Sequence, residues 1–217
     1  MNKALIWKEY RDIRLPLIIT VLSCAVLALF IILVNRQHTH HIFIFFSMSR
    51  SSTGIREVLI HFTVFVMCIY ALLAGAESFA SEYQAKTFDF LTSRSVSRDE
   101  LWRCKFGIRI STLLLPVLYL ILADRFLLRD KLDYQYQCIV VSSILMLFST
   151  GLFFSTIFNR PVKAGITGLT VCIGYTAFFF RFTDSIDLFT ITSVLPDIMF
   201  LTGSYLIFTK GKFTYPV

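Results

Sequence analysis

Apolar residues along this chain come in long unbroken runs separated by short polar stretches. Leu15–Val34 holds 20 residues without a charge, and Val58–Ala76 is interrupted only by His61. Ile110–Ala123 is shorter, and residues 106–109 extend it if Arg109 snorkels its guanidinium to the interface. Cys138–Phe158 and Ala164–Phe180 carry no charge, and Leu188–Thr209 carries one, Asp197. A bilayer core of ~30 Å takes about 20 helical residues to cross. The pattern predicts an all-α polytopic membrane protein, a single transmembrane domain over 1–217. Its six spans fall at 15–34, 58–76, 106–123, 138–158, 164–180 and 188–209. Barrel strands would alternate over segments of ~10 residues, and these runs do not. The first run is longer than a signal-peptide core, and Val34-Asn35-Arg36 lacks a small-x-small cleavage pattern.

The polar stretches predict two further elements. In 2–14, Ile6, Tyr10 and Ile13 recur four and three apart with Trp7 beside them. Lys3, Lys8, Glu9, Arg11, Asp12 and Arg14 cover the rest. This is the pattern of an interfacial amphipathic helix, anchored in the lipid headgroups by Trp7, Lys8, Arg11 and Arg14. Pro16 then marks a bend into the first span. The competing reading is an ordinary basic flank with one anchoring Trp. In the connection 77–105, Ala85, Phe88 and Leu91 share a helical face with Phe90 beside them. Ser97-Arg98-Asp99-Glu100 fits a capping box, which starts a helix rising through Trp102 into the third span. A short helix, a turn and a rising helix would present a compact knob; the plainer reading is a structured loop without a partner.

Composition agrees with lipid as the solvent. Hydrophobic residues make up 56% of the 217 and charged ones 16%, against roughly 25% in a soluble domain. The net charge of +7 would suggest nucleic acid only on a soluble fold with a basic face. Here the cations segregate by side. With the N-terminus inside, fourteen of the 21 Lys+Arg fall on the cytoplasmic side and seven outside. The acidic residues outside the spans divide almost evenly. The positive-inside rule therefore places both termini in the cytoplasm of a plasma (inner) membrane, and no nucleic-acid partner is needed.

Candidate chemistry is sparse. None of the nine glycines begins a phosphate-cradling G-x-x-x-x-G-K-[ST] loop, and Gly211-Lys212 is followed by Phe213. Any ATP and Mg would be held by another chain, and no cofactor or metal is expected in this one. His38, His40 and His41 cluster without a nearby carboxylate or Cys except Glu57, so a polar turn is favoured over a metal site. Cys24, Cys68, Cys104, Cys138 and Cys172 are scattered, with neither disulfide nor nucleophile expected. Asp197 inside an apolar run invites a role as a proton or cargo contact. The favoured reading is that Pro196 breaks the run, leaving Asp197 at the N-terminus of a final helix. Pro116 reads as a kink. The small pairs Ala71/Gly75, Ala76/Ala80 and Ala164/Gly168 would allow close helix packing within or between protomers.

Ser78-Phe79-Ala80-Ser81-Glu82, Lys86-Thr87, Leu91, Ser93 and Val96-Ser97-Arg98 together resemble the first cytoplasmic loop of type-2, exporter-like ABC transporter permeases. That family's pattern is F-A-x-E-x-x-x-G-T-x-x-x-L-x-S-x-P-V-S-R, ending in a lysine that Lys105 matches. Lys86 stands at its usual glycine and Ser95 at its usual proline. The opening Trp7-Lys8-Glu9 is similar to the family's N-terminal interfacial helix, and the six-span layout agrees. The resemblance implies a non-enzymatic export subunit whose knob docks on a separate ATP-binding subunit and which pairs with a second permease copy. ATPase coupling would fall to Glu82, Thr87, Phe88, Phe90, Leu91, Arg94, Ser97 and Arg98. Phe88, Phe90 and Leu91 would be the apolar anchor, and Glu82, Arg94 and Arg98 the polar pins. The alternatives are a polytopic membrane enzyme, such as an intramembrane protease or lipid-modifying protein, and a non-transporting assembly factor. The enzyme would need polar groups converging at one depth, and the residues offer only His61, Asp197 and scattered Ser/Thr.

Overall fold

Each apolar run becomes the central part of a helix, because in lipid every backbone amide must be satisfied within its own segment. The computed structural model describes residues 3–36, 52–84, 97–126, 134–182 and 186–210. These form α1 (Lys3–Arg36), α2 (Ser52–Gln84), α3 (Arg98–Phe126), α4 (Tyr134–Ile157), α5 (Pro161–Phe182) and α6 (Ile186–Lys210). No strand occurs among the described residues. Among the described residues, five stretches are long and apolar enough to cross a membrane: Ile6–Leu29, Ile60–Gln84, Tyr134–Ile157, Pro161–Arg181 and Leu188–Lys210. The protein is thus an all-α, multi-pass membrane protein. α3 is not among these five, and Arg98, Asp99, Glu100, Arg103, Lys105 and Arg109 lie in its first turns.

Three sequence expectations are corrected. The interfacial helix 2–14 is not a separate element, since α1 runs unbroken through Pro16. Proline removes one amide donor, and the Thr20 hydroxyl donates to the Pro16 carbonyl at 2.9 Å one turn later. The connection expected from residue 77 begins instead as helix: α2 continues to Gln84, with Phe79 and Ala80 buried. Ser78 and Ser81 donate there to the carbonyls of Ala74 and Glu77. Finally, Pro196 does not break the last run, and α6 passes through it.

The helices run up and down, and partners at the two ends fix that order. At one end, Trp102 of α3 donates to the Ser204 hydroxyl of α6 at 3.2 Å, and Phe79 of α2 packs on Phe208 of α6 at 4.3 Å between ring centres. Further along the bundle, the Tyr119 hydroxyl of α3 donates to the Cys24 carbonyl of α1 at 2.9 Å. α4 is the hub, packing most extensively against α2 and then against α6 and α5. Its residues Met146, Leu147, Phe148, Ser149, Thr150, Gly151 and Leu152 are all buried, so no side of this stretch faces lipid. The outer helices turn apolar stripes outward, such as Leu15, Ile18 and Leu22 on α1 and Ile191, Val194 and Ile198 on α6.

Glycines set the closeness of the hub. A Cβ on Gly75 would lie 2.4 Å from the Phe148 carbonyl oxygen, and one on Gly151 would lie 2.9 Å from that of Leu72. A Cβ on Gly168 of α5 would meet the Gly151 backbone at 3.2 Å. Backbones of α2, α4 and α5 therefore touch directly, which van der Waals packing between lipid-embedded helices rewards. Ala71/Gly75 and Ala164/Gly168 serve packing within the chain; Gly151, their common partner, carried no such signal.

Gly75→Ala and Gly151→Ala are expected to lower the melting temperature of the purified protein by several degrees, as overpacking costs about 1–3 kcal/mol. Gly174→Ala, where an added Cβ meets nothing within 4 Å, should melt at or slightly above the parent. Equal melting of all three would refute the direct backbone contact.

Candidate functional site: a buried ionic junction

The start of α1, the end of α2 and the start of α3 meet in a cluster of charges that apolar packing alone would forbid. Lys105 is 1% exposed, and its ammonium donates to Glu9 at 2.6 Å and to Glu82 at 3.2 Å. Lys8, half-buried, closes the chain by an ion pair with Glu82. The order Glu9–Lys105–Glu82–Lys8 alternates in sign and draws on three helices. Lys105 also stands over the Phe79 ring, 5.7 Å from its centre. One turn deeper, Arg109 is 4% exposed and donates to the Ala74 carbonyl at 2.7 Å and the Glu77 carbonyl at 3.5 Å.

Local sequence explains how these side chains converge. On α1, Glu9, Ile13, Thr20, Cys24 and Leu27 form the buried stripe, so Glu9 is the first position of a core-facing row. On α3, Leu101, Lys105 and Arg109 recur four apart and share a face, as do Ser78 and Glu82 on α2. α3 starts where it does because the Ser97 hydroxyl accepts the Glu100 amide at 3.1 Å, the N-cap expected from the sequence. Trp102 stacks on Phe106 with ring centres 4.9 Å apart and meets Tyr205 edge-on, which fastens the same turn to α6. Asp99 and Arg103 pair one turn apart on the exposed side.

The structure sorts the sequence-derived site residues into three groups. Glu82, expected as a polar pin of the knob, is 5% exposed and belongs to the junction. Lys8, expected to face lipid phosphates, turns inward to Glu82. Arg109, expected to snorkel, is buried because backbone carbonyls of α2 accept its guanidinium. Trp7 is 65% exposed beside Tyr10, and Arg11 and Arg14 are exposed on the same helix. Ser97 caps α3, and Arg98 opens it half-buried. Thr87, Phe88, Phe90, Leu91 and Arg94 lie outside the described residues, as do Lys86, Ser95, His38, His40 and His41. Glu9 and Lys105 are the members sequence reasoning undervalued. The available signal for Glu9 was its place three residues after Ile6 and four before Ile13.

The remaining polar contacts between helices include two at the α4–α6 interface. Ser142 and Ser193 share a hydrogen bond, and the Ser149 hydroxyl donates to Asp197 at 2.5 Å. Asp197 thus sits mid-helix rather than at a helix start, held by a neighbour on the hub. All five cysteines are free thiols. Burial pushes the Cys104 thiol up, with the Glu9 carboxylate adding to the shift, so it has little thiolate character. Among the described residues no group of three His, Cys, Asp or Glu is placed to hold a metal ion.

Chemically, the junction is a clamp. Its lysines and carboxylates pair in alternation, while Glu9 Oε2 and Arg109 Nε are buried without a hydrogen-bond partner among the described residues. Lys105→Met would leave Glu9 without its cation, and breaking a buried pair typically costs about 3–5 kcal/mol. A large drop in melting temperature is expected. Adding Glu9→Gln should recover most of it, because Lys8 still balances Glu82. A double variant melting as low as the single one would show that charge balance does not hold the junction.

No protein-family model matches this chain, and no curated protein and no solved structure matches it.

Proposed function

We propose that this chain is the transmembrane permease subunit of a type-2, exporter-like ABC transporter, driven by a separate ATP-binding subunit. The observation that supports it best is the mechanical setting of the family-like segment 78–98. Its first residues continue α2 as rigid helix into the ionic junction, and its last cap α3, which Trp102 and Lys105 fasten to α6, α1 and α2. A push on residues 85–97 would therefore reach three helices at once, as a coupling element requires. Phe88, Phe90 and Leu91 supply the apolar anchor in this reading, Thr87, Arg94 and Arg98 the polar rim, and Glu82 ties the segment to the bundle.

In the proposed arrangement all six helices span the plasma (inner) membrane with both termini cytoplasmic. α3 crosses with its charged first turns at the cytoplasmic face. Trp7, Arg11 and Arg14 meet the headgroups there. ATP and Mg belong to the partner subunits, whose closure would rock two permease copies between inward- and outward-facing states.

Affinity purification of the tagged chain from its native membrane is expected to bring down an ATP-binding subunit. Phe88→Asp or Leu91→Asp should abolish that recovery while leaving the permease monodisperse. Recovery that survives both changes would remove the coupling role of these residues. Absence of any ATPase from the parent preparation would remove the transporter reading itself and favour a membrane enzyme or assembly factor.

A further inference from the structure

The half of the bundle remote from the ionic junction carries a groove of about 310 Å³ between α3, α4 and α6. Its walls are mostly apolar, with Ile121, Val141, Leu145 and Val194 among them, and Tyr134 and Gln137 stand at one end. From Tyr134 to Leu145 it follows α4 for ~16 Å at 1.5 Å per residue. Asp197 lies at the other end, and its only hydrogen bond among the described residues comes from Ser149. No Lys, Arg or His among the described residues pairs with it. By contrast, each buried carboxylate of the ionic junction has a lysine.

A carboxylate in an apolar groove at membrane depth is costly unless a positive charge balances it. Among the described residues, that charge is supplied at one end of the bundle and not at this one. We propose that the groove binds a cationic amphiphile, a protonated amine with an apolar tail. The ammonium pairs with the Asp197 carboxylate, and the tail lies along α4 against Leu145, Val141 and Val194. A divalent metal fits poorly, because Ca²⁺ and Mg²⁺ take about six or more oxygen ligands and this end offers one carboxylate among hydroxyls. The site goes beyond the transport reading, since it stands on the groove alone, whether or not an ATPase drives the chain.

The test uses the full-length protein in lipid nanodiscs and a photoreactive alkylamine, with the alcohol of the same chain length as its neutral twin. Cross-linked positions are read by mass spectrometry. The amine is expected to label groove residues of α3, α4 and α6 at least ten-fold above the alcohol. Asp197→Asn should bring amine labelling down to the alcohol's level. Leu145→Trp, which fills the groove and keeps the carboxylate, should lower it as well. Equal labelling by amine and alcohol on the parent protein overturns the proposal even if Asp197→Asn does not fold. So does undiminished labelling of a folded Asp197→Asn. Labelling suppressed by sodium but not by choline at equal ionic strength would assign the carboxylate to an inorganic cation and equally overturn it. None of these readouts involves the coupling residues, so the groove and the transporter reading fail separately.

Discussion

Lys105 is the side chain around which this bundle is arranged. An ammonium withdrawn from both water and lipid headgroups must be balanced within a few ångströms, and the balance comes from Glu9 and Glu82 on two other helices. That requirement dictates three features that look unrelated in the chain. α1 has to begin well before its apolar run, so that Glu9 reaches the bundle. α2 has to stay helical to Gln84, beyond its last apolar stretch. α3 has to carry its charges inward, with Arg109 one turn below Lys105 held by carbonyls of α2. Buried ion pairs add little net stability compared with apolar packing, but they penalise every misregistered alternative by a full unpaired charge. The junction is therefore best understood as a device that fixes the relative height of three helices.

Away from the junction the bundle is held by a different kind of force. Between α2, α4 and α5 the contact is backbone against backbone at Gly75, Gly151 and Gly168, where dispersion and close approach replace charge. Hydroxyls in α4 are satisfied locally, as when Thr150 donates to the Met146 carbonyl at 2.8 Å and Thr156 to that of Phe153 at 2.7 Å. These back-bonds let a helix buried on all sides carry Ser and Thr without unsatisfied groups. Polar contacts across helices are thus reserved for a few places. The junction is one, and the Ser149–Asp197 and Ser142–Ser193 contacts between α4 and α6 are others.

The helices were legible wherever a local rule governs them. All six apolar runs became helix, Ser97 capped α3, and two of the small-residue pairs fell at close contacts. What local rules missed is long-range. Lys105 and Glu9 are 96 positions apart, and Lys8 and Glu82 are 74 apart. A charged residue read alone looks like solvent-facing surface, so the sequence pattern puts Glu9 on the polar side and Lys8 and Arg109 toward headgroups. Local rules predict a bend at Pro16 and a break at Pro196, because proline does kink or break helices in water. Inside a bundle, packing of the neighbouring turns outweighs one missing amide bond. The residues proposed for coupling, from Thr87 to Arg94, lie outside the described residues, and only the sequence pattern speaks for them.

α3 links the two unusual regions of the molecule. It starts in the ionic junction, and its Ile121 forms part of the groove that ends at Asp197. Its packing on α1, α2 and α6 is far less extensive than that between α2 and α4, and its fixed points are largely polar: Lys105, Arg109, Trp102 and Tyr119. Displacing α3 alone would break the Lys105 pairs with Glu9 and Glu82, so in the transport cycle proposed above a push on α3 would carry α1 and α2 with it. The wall of the groove that Ile121 forms would move with α3.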